Sequence, residues 1–374
     1  MSTLRTVIEA HRLIICVGAG GVGKTTVAAS LALQAARLGR KVLVLTIDPA
    51  RRLANSLGLS RFGNEPVRIE HPELRGELWA MMLDPHQTFH DLIERVSPDS
   101  TTAQRIFHNR VFVAIADSIA GSQDYMATEM LYDVVTSGRY DLVVLDTPPA
   151  KNALDFLDAP GRLARFTDQR IMKWFLAPYE EPRGFGRLLM GTSAVVFRLL
   201  GHIFGREFLG ELSEFFQAFR DLYDGFRERS EAVIALFSDP DTRFIVVTAP
   251  TASGVETARF FLGELRARGM PCAGVAVNQR HLVGEEPPDA EQVLGPLAAS
   301  LAGDLAPHTA EALVARLGAA DRRLRELSAL EARRLQVVRQ AMSPGQEMWQ
   351  ARRQLREVHD VEALLVVGAQ LLGP

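Results

Sequence analysis

The sequence predicts an α/β fold: a doubly wound, mostly parallel sheet flanked by helices, with a helical insertion subdomain. Three observations carry this expectation. Short runs rich in β-branched residues recur along the chain without polar–apolar alternation, as strands covered on both faces require. Amphipathic helical patterns separate these runs, so strand and helix alternate. A glycine-rich stretch, "GAGGVGKT" (18–25), follows the first run and opens the first long helix.

Taken in order, the strand-like runs are "LIICV" (13–17), "KVLVLTI" (41–47), "DLVVLD" (141–146), "FIVVT" (244–248) and "AGVAVN" (273–278). The helical pattern "KTTVAASLALQAARLG" ends at Gly39, the residue type that terminates helices in a left-handed turn. Two regions break the rhythm. Residues 151–237 are helical in pattern, rich in Phe, Leu and Met, and contain no convincing strand; they read as a helical insertion. Residues 285–342 open with "EEPP", close with "SPG" and are rich in Ala, Leu, Glu and Arg; they read as a helical hairpin near the C-terminus. No internal repeat is visible, and residues 1–374 read as a single domain.

Composition removes several function classes. A net charge of −3 provides no basic field for nucleic acid or an anionic membrane surface. Cys16 and Cys272, the only two cysteines, form neither a disulfide framework nor a C-x-x-C metal site, and a reducing cytoplasm is the natural compartment. The opening "MSTLRTVIEAHR" has no apolar signal core. The most membrane-like run, "LLMGTSAVVFRLLGHIF", carries Arg198 and His202 and falls short of the ~20 apolar residues that span a bilayer. No integral membrane segment is expected.

Gly18, Gly23, Lys24 and Thr25 fit G-x-x-x-x-G-K-[ST], the phosphate-binding loop of P-loop NTPases. Glycines let the main chain curl so that successive N–H groups converge on phosphate oxygens, and the following helix adds the positive end of its dipole. Lys24 is suited to the β- and γ-phosphates of ATP, and the Thr25 hydroxyl to Mg²⁺. Asp146, at the tip of "DLVVLD", is the acid expected to hold Mg²⁺ with Thr25; an acid there also serves as a helix cap. Asp48, at the tip of "KVLVLTI", is a candidate to orient or deprotonate attacking water, and an Asx-Pro turn is the alternative.

With these residues in view, "GGVGKTT", "DPARRLANSLG", "DTPPAKNALDFLDAP" and "VTAP…GVAVN" together resemble the arsenical pump-driving ATPase family, which includes the guided-entry ATPase that targets tail-anchored membrane proteins. "LDPHQTFHDLI" and "AGSQDYMATEMLYD" are most similar to its bacterial anion-transporting branch. The resemblance covers most of the chain. It implies a dimer that sandwiches ATP and Mg²⁺ and couples hydrolysis to opening and closing. It further implies that Gly20, Gly21, Val22, Gly23, Lys24, Thr25 and Thr26 bind phosphates, that Asp48 is the catalytic-water residue, and that Asn278 bonds the adenine edge.

Three departures qualify the resemblance. Ala19 stands where the family carries a lysine that crosses the dimer interface to the partner's nucleotide. The arsenite-type cysteine cluster and the C-x-x-C zinc clasp are absent. The late loop "WQARRQLREVHD" lacks the proline that usually meets adenine, which leaves either a looser adenine pocket or one closed by Arg352 or Trp349 stacking. A crossing charge acts like an arginine finger, worth about 10³ to 10⁵ in rate. The expectation is therefore a dimeric ATP-hydrolysing switch, weak as a homodimer and completed by a lysine-bearing paralogue, that handles a hydrophobic client or membrane-protein partner. Two alternatives stay open: a regulatory subunit that binds ATP with little turnover, and the energising subunit of an anion or metalloid exporter.

Phe208, Leu212, Phe215, Phe219, Leu222 and Phe226 recur at steps of four and three, one face of a helix in the insertion. They read as a subdomain core, or as a groove for an apolar partner helix. His86 and His90 share a helix face but lack the glutamate of H-E-x-x-H and a third ligand, and they read as ordinary surface residues.

Overall fold

The computed structural model describes residues 3–47, 52–58, 63–109, 123–148, 156–159, 225–283, 296, 299–300 and 307–373. Its centre is an eight-stranded sheet in the order β3-β4-β2-β5-β1-β6-β7-β8. The strands are β1 (Leu13–Gly18), β2 (Lys41–Thr46), β3 (Val67–Ile69), β4 (Glu77–Met82), β5 (Leu142–Asp146), β6 (Thr242–Thr248), β7 (Cys272–Arg280) and β8 (Glu347–Arg352). Every neighbouring pair is parallel except β3–β4 at one edge. The expected doubly wound sheet is present, and its five expected strands are β1, β2, β5, β6 and β7.

β1 is buried along its whole length, and its alternate side chains feed two apolar layers. Leu13, Ile15 and Val17 join one layer with Phe244, Val246, Val275 and Val277. That layer lies under α4 (Pro85–Val96), α6 (Gln123–Thr136), α7 (Ala252–Ala267) and the end of α8 (Pro307–Ala341). Ile14 and Cys16 point the other way, into a layer with α1 (Leu4–Ala10), α2 (Lys24–Arg37) and α9 (Val361–Leu372). Two shorter helices among the described residues are α3 (Arg52–Ser56) and α5 (Ser100–His108). Helix starts follow local chemistry: Thr251, Asp360, Asp84 and Asp99 each accept a main-chain N–H of the first turn. Gly39 takes φ 97° just beyond α2, as a helix terminator does.

Three strands escape the sequence pattern. β4, "ELWAMM", has no β-branched residue, β3 is three residues long, and the edge strand β8, "EMWQAR", mixes Gln and Arg with Met and Trp. In the C-terminal helical region Pro307–Ala341 is one helix of 35 residues with Pro at its first position, the length of a single arm of the expected hairpin. Nothing in "EALVARLGAADRRLRELSALEARRLQVVRQ" breaks it, since an internal glycine such as Gly318 costs only about 1 kcal/mol. The rest of 285–306 lies outside the described residues except 296 and 299–300.

Most of the 151–237 insertion lies outside the described residues. Its two ends are anchored in the core: Phe156 and Leu157 at one, Phe226, Val233 and Phe237 at the other. Residues 225–237 are helical, and Arg229 bridges to α6 through the buried Glu129 at 2.6 Å and Asp133 at 2.6 Å. Tyr125 donates to the same Glu129 at 2.7 Å. Of the aromatic stripe, Phe226 is core; the other five residues lie outside the described set. His90 stacks on Phe107 at 4.1 Å between ring centroids. Among the described residues no helix is long and apolar enough to cross a membrane.

β7 and β8 approach so closely at Gly274 that an added Cβ would lie 2.1 Å from the Glu347 carbonyl oxygen. Gly274→Ala must therefore part the two strands. Urea denaturation is expected to register a loss of about 2 kcal/mol or more.

Candidate nucleotide-binding site

Strand register assembles the site. Pairing sets Cys16 beside Asp146 across β1–β5, and Thr46 beside Asp146 across β2–β5. The C-terminal ends of three parallel strands thus converge where the glycine-rich loop departs from Gly18, the position at which open α/β sheets bind ligands.

The loop has little freedom. A Cβ on Gly18 would sit 2.1 Å from the Val247 oxygen of β6. Gly21 has φ 76°, and Gly23, the residue capping α2, has φ 86° and ψ 37°. That left-handed conformation costs an L-residue with a side chain roughly 1–2 kcal/mol. A Cβ on Gly23 would also lie 2.2 Å from Asn278 Nδ2, so main chain and amide are in direct contact. Asn278 Nδ2 donates to the Val22 oxygen at 3.1 Å, and Gln279 Nε2 to the Gly21 oxygen at 3.4 Å. β7 thereby clamps the outside of the loop through the Val22 and Gly21 carbonyls, just before α2 begins at Lys24.

Lys24 is 7% exposed and donates from Nζ to the Ala19 oxygen at 3.0 Å, lying back across the loop. Asp146 is buried and accepts at Oδ2 from Thr25 Oγ1 at 2.6 Å and from Thr46 Oγ1 at 3.0 Å. Since Thr25 uses its proton on Asp146, the lone pairs of its oxygen stay available to a cation. Hard oxygen donors from a hydroxyl and a carboxylate are the ligand chemistry that Mg²⁺ takes. Thr147 ties the end of β5 to β1 by donating to the Cys16 oxygen at 2.7 Å. The glycine cradle and this donor pair fit a phosphate tail with Mg²⁺. The structure brings together all the expected site residues except Asp48, which lies outside the described residues.

A cavity of about 430 Å³ opens beside the loop, lined by Thr26, Asn278, Gln279, Arg353, Leu355 and Arg356 among others. Neither residue expected to stack there, Trp349 or Arg352, is in its lining. Trp349 lies in the sheet interior with its Nε1 on Glu347 at 3.1 Å, because strand alternation in β8 turns it toward the α2–α9 layer. The loop after β8 supplies Arg353 and Leu355 instead, and Leu355 is fully exposed at the cavity rim. Asn278 commits its Nδ2 to Val22; its oxygen has no partner among the described residues.

The family model described as anion-transporting ATPase matches residues 11–294. The chain belongs to the anion-transporting ATPase family. Among curated relatives, ATPase ARSA1 of Chlamydomonas reinhardtii is 28% identical over 309 residues, 75% of this chain and 36% of that protein. ATPase GET3 of Malassezia globosa is 32% identical over 165 residues, 44% of this chain and 47% of that protein. The match thus spans less than half the length of each. ATPase get3 of Sclerotinia sclerotiorum is 27% identical over 281 residues, 74% of this chain and 75% of that protein.

This anion-transporting ATPase family member carries functional-looking residues that no motif announced. Gln279, a non-glycine at φ 57°, reaches the loop only because that conformation ends the regular strand. Leu355 and Arg353 arrive from a loop far along the chain, and the absence of the usual proline was the one hint of a different lining. The surroundings of both cysteines oppose ionisation of their thiols. Burial pushes the Cys16 thiol far above its ordinary value, reinforced by Asp146, and burial pushes Cys272 up to about 12. The thiolate is the nucleophile, so iodoacetamide at pH 8 is expected to leave both unmodified in the folded chain and to label both in urea, as read by intact mass.

Proposed function

We propose that this chain is an ATP-binding and ATP-hydrolysing molecular switch, dimeric and cytoplasmic, that couples nucleotide state to a hydrophobic client or partner protein. The observation that supports it most is the Thr25–Asp146 hydrogen bond at the foot of a glycine cradle closed from outside by Asn278. The ATPase names of its relatives point the same way.

In this reading the loop N–H groups from Gly20 to Thr26 bind phosphate oxygens, and Lys24 swings from the Ala19 carbonyl to the β- and γ-phosphates. Thr25 and Asp146 hold Mg²⁺, which when bound neutralises charge on the phosphates. Asp48 orients the attacking water. The free Asn278 oxygen accepts from the exocyclic amine of adenine, and Leu355 offers the base an apolar face. Lys24→Ala is expected to lower MgATP affinity by at least about tenfold, measured by calorimetry, with the urea midpoint little changed. Unaltered affinity would show that the triphosphate does not sit in this loop.

Ala19 supports one further element, a partner chain whose lysine completes this site. A homodimer then binds ATP but hydrolyses it slowly, and a heterodimer with a lysine-bearing paralogue has one competent site. Ala19→Lys is expected to raise homodimer turnover at least tenfold, against the finger effect of about 10³ to 10⁵. Turnover of the unaltered chain alone that equals turnover of the mixture would remove the paralogue from the scheme. The same Ala19 favours a second reading, a regulatory subunit that binds ATP with little turnover. Absence of stimulation by any partner, with binding intact, would select it.

A further inference from the structure

Across the sheet from the phosphate loop lies a second cavity, of about 480 Å³, lined by Arg280, Leu335, Gln336, Arg339, Gln340 and Gln350. It sits between the ends of β7 and β8 and the long helix α8. The backbone explains why Arg280 belongs to it. Val275 and Val277 face the layer that contains Leu335 and Val338, whereas Ala276 faces the layer of α2. Regular alternation would turn Asn278 and Arg280 to the same side. Gln279 at φ 57° interrupts the strand, and the β7–β8 register shifts between Val277 and Arg280. Asn278 therefore meets the loop while Arg280 crosses to α8, where it donates to Glu331 at 2.6 Å and to the Ser328 oxygen at 3.0 Å.

The lining is rich in uncommitted donors. Arg280 uses Nε on the Gln350 oxygen at 3.3 Å and Nη1 on α8; its Nη2 has no partner among the described residues. The Arg339 guanidinium and the amides of Gln336 and Gln340 make no side-chain hydrogen bond there either, and the Gln350 NH₂ is unused. The nearest carboxylate, Glu331, is outside the lining and already engaged: its oxygens take Arg280 Nη1, the His281 main-chain N–H at 3.0 Å and the His281 ring at 2.6 Å. Burial opposes ionisation of Glu331, but the bonds from His281 and Arg280 outweigh it and hold the carboxyl below its usual range. Two guanidinium groups and three amides, with no carboxylate among the lining residues, suit a ligand that brings several acceptor oxygens and negative charge. The volume is that of a small-metabolite site.

We propose that this cavity binds a compact multivalent oxyanion, such as a phosphate monoester or a polycarboxylate, and that its occupancy is felt at the phosphate loop. The route is one residue long. Arg280 adjoins Gln279, whose amide holds the Gly21 oxygen, and the Arg280 carbonyl accepts from Arg353 N at 2.9 Å on the loop that lines the other cavity.

Calorimetry of the full chain carrying Lys24→Ala, which disables the phosphate loop as a competitor, tests binding directly. Citrate and glycerol phosphate serve as separate probes and distinguish carboxylate from phosphate sources. At least one is expected to bind saturably below millimolar concentration. Arg339→Gln and Gln336→Leu, both on the solvent side of α8, are expected to weaken it, the former by about tenfold, without moving the urea midpoint. No saturable heat from either probe, or binding indifferent to both variants, overturns the site. This arm uses no nucleotide, so failure of the ATP reading leaves it standing. With Lys24 intact, the saturating probe is expected to change affinity for a fluorescent ATP analogue by at least about fivefold, and not in Arg339→Gln. An unchanged affinity overturns the coupling.

Discussion

The site depends on a contact that admits no extra atom: Gly23 lies against the side-chain amide of Asn278, which holds the Val22 carbonyl. The loop is a tight turn, with left-handed main chain at Gly21 and Gly23, and its one internal side-chain tie among the described residues runs from Lys24 to the Ala19 oxygen. β7 supplies the constraint from outside. Since β7 is two strands away from β1, the shape of the loop depends on the packing of the sheet as a whole.

Asp146 is fixed by the same logic. Register sets it level with Thr46 and Cys16, burial removes water from it, and two hydroxyls supply hydrogen bonds that its charge requires. Arg229 and Glu129 follow the rule at the other side of the molecule: a fully buried carboxylate beside a guanidinium and a tyrosine hydroxyl ties the returning end of the insertion to α6. Such a pair fixes where the segment re-enters more than it stabilises the fold, because desolvation offsets much of the attraction.

Much of the fold and the phosphate loop could be read from local pattern, for identifiable reasons. Strands buried on both faces need uninterrupted branched apolar runs, and β1, β2, β5, β6 and β7 have them. β8 shows an edge strand's mixed composition, and β4 is held by its neighbours rather than by its own preferences. Gly18, Gly23, Lys24 and Thr25 were visible because the loop motif has fixed residue types at fixed spacing, and Asp146 because it ends a branched apolar run. The Asn278–Val22 bond, the conformation of Gln279 and the arrival of Leu355 were not, since each depends on chain segments distant in sequence meeting in space, 256 residues apart for Asn278 and Val22. The direction Trp349 faces was hidden for a related reason: it follows from strand parity, and β8 has no strand-like pattern in sequence.

The placement of β1 has a consequence for how the protein comes into being. This central strand precedes both of its neighbours in the chain, residues 142–146 and 242–248. At synthesis rates of 5–20 residues per second, one edge of β1 stays bare for on the order of ten to fifty seconds after the strand leaves the ribosome. Non-local parallel pairing of this kind also closes slowly. One apolar edge of β1 must therefore wait for residues 242–248, although the other can pair once residues 142–146 are made, and until then it stands open to pairing with other chains.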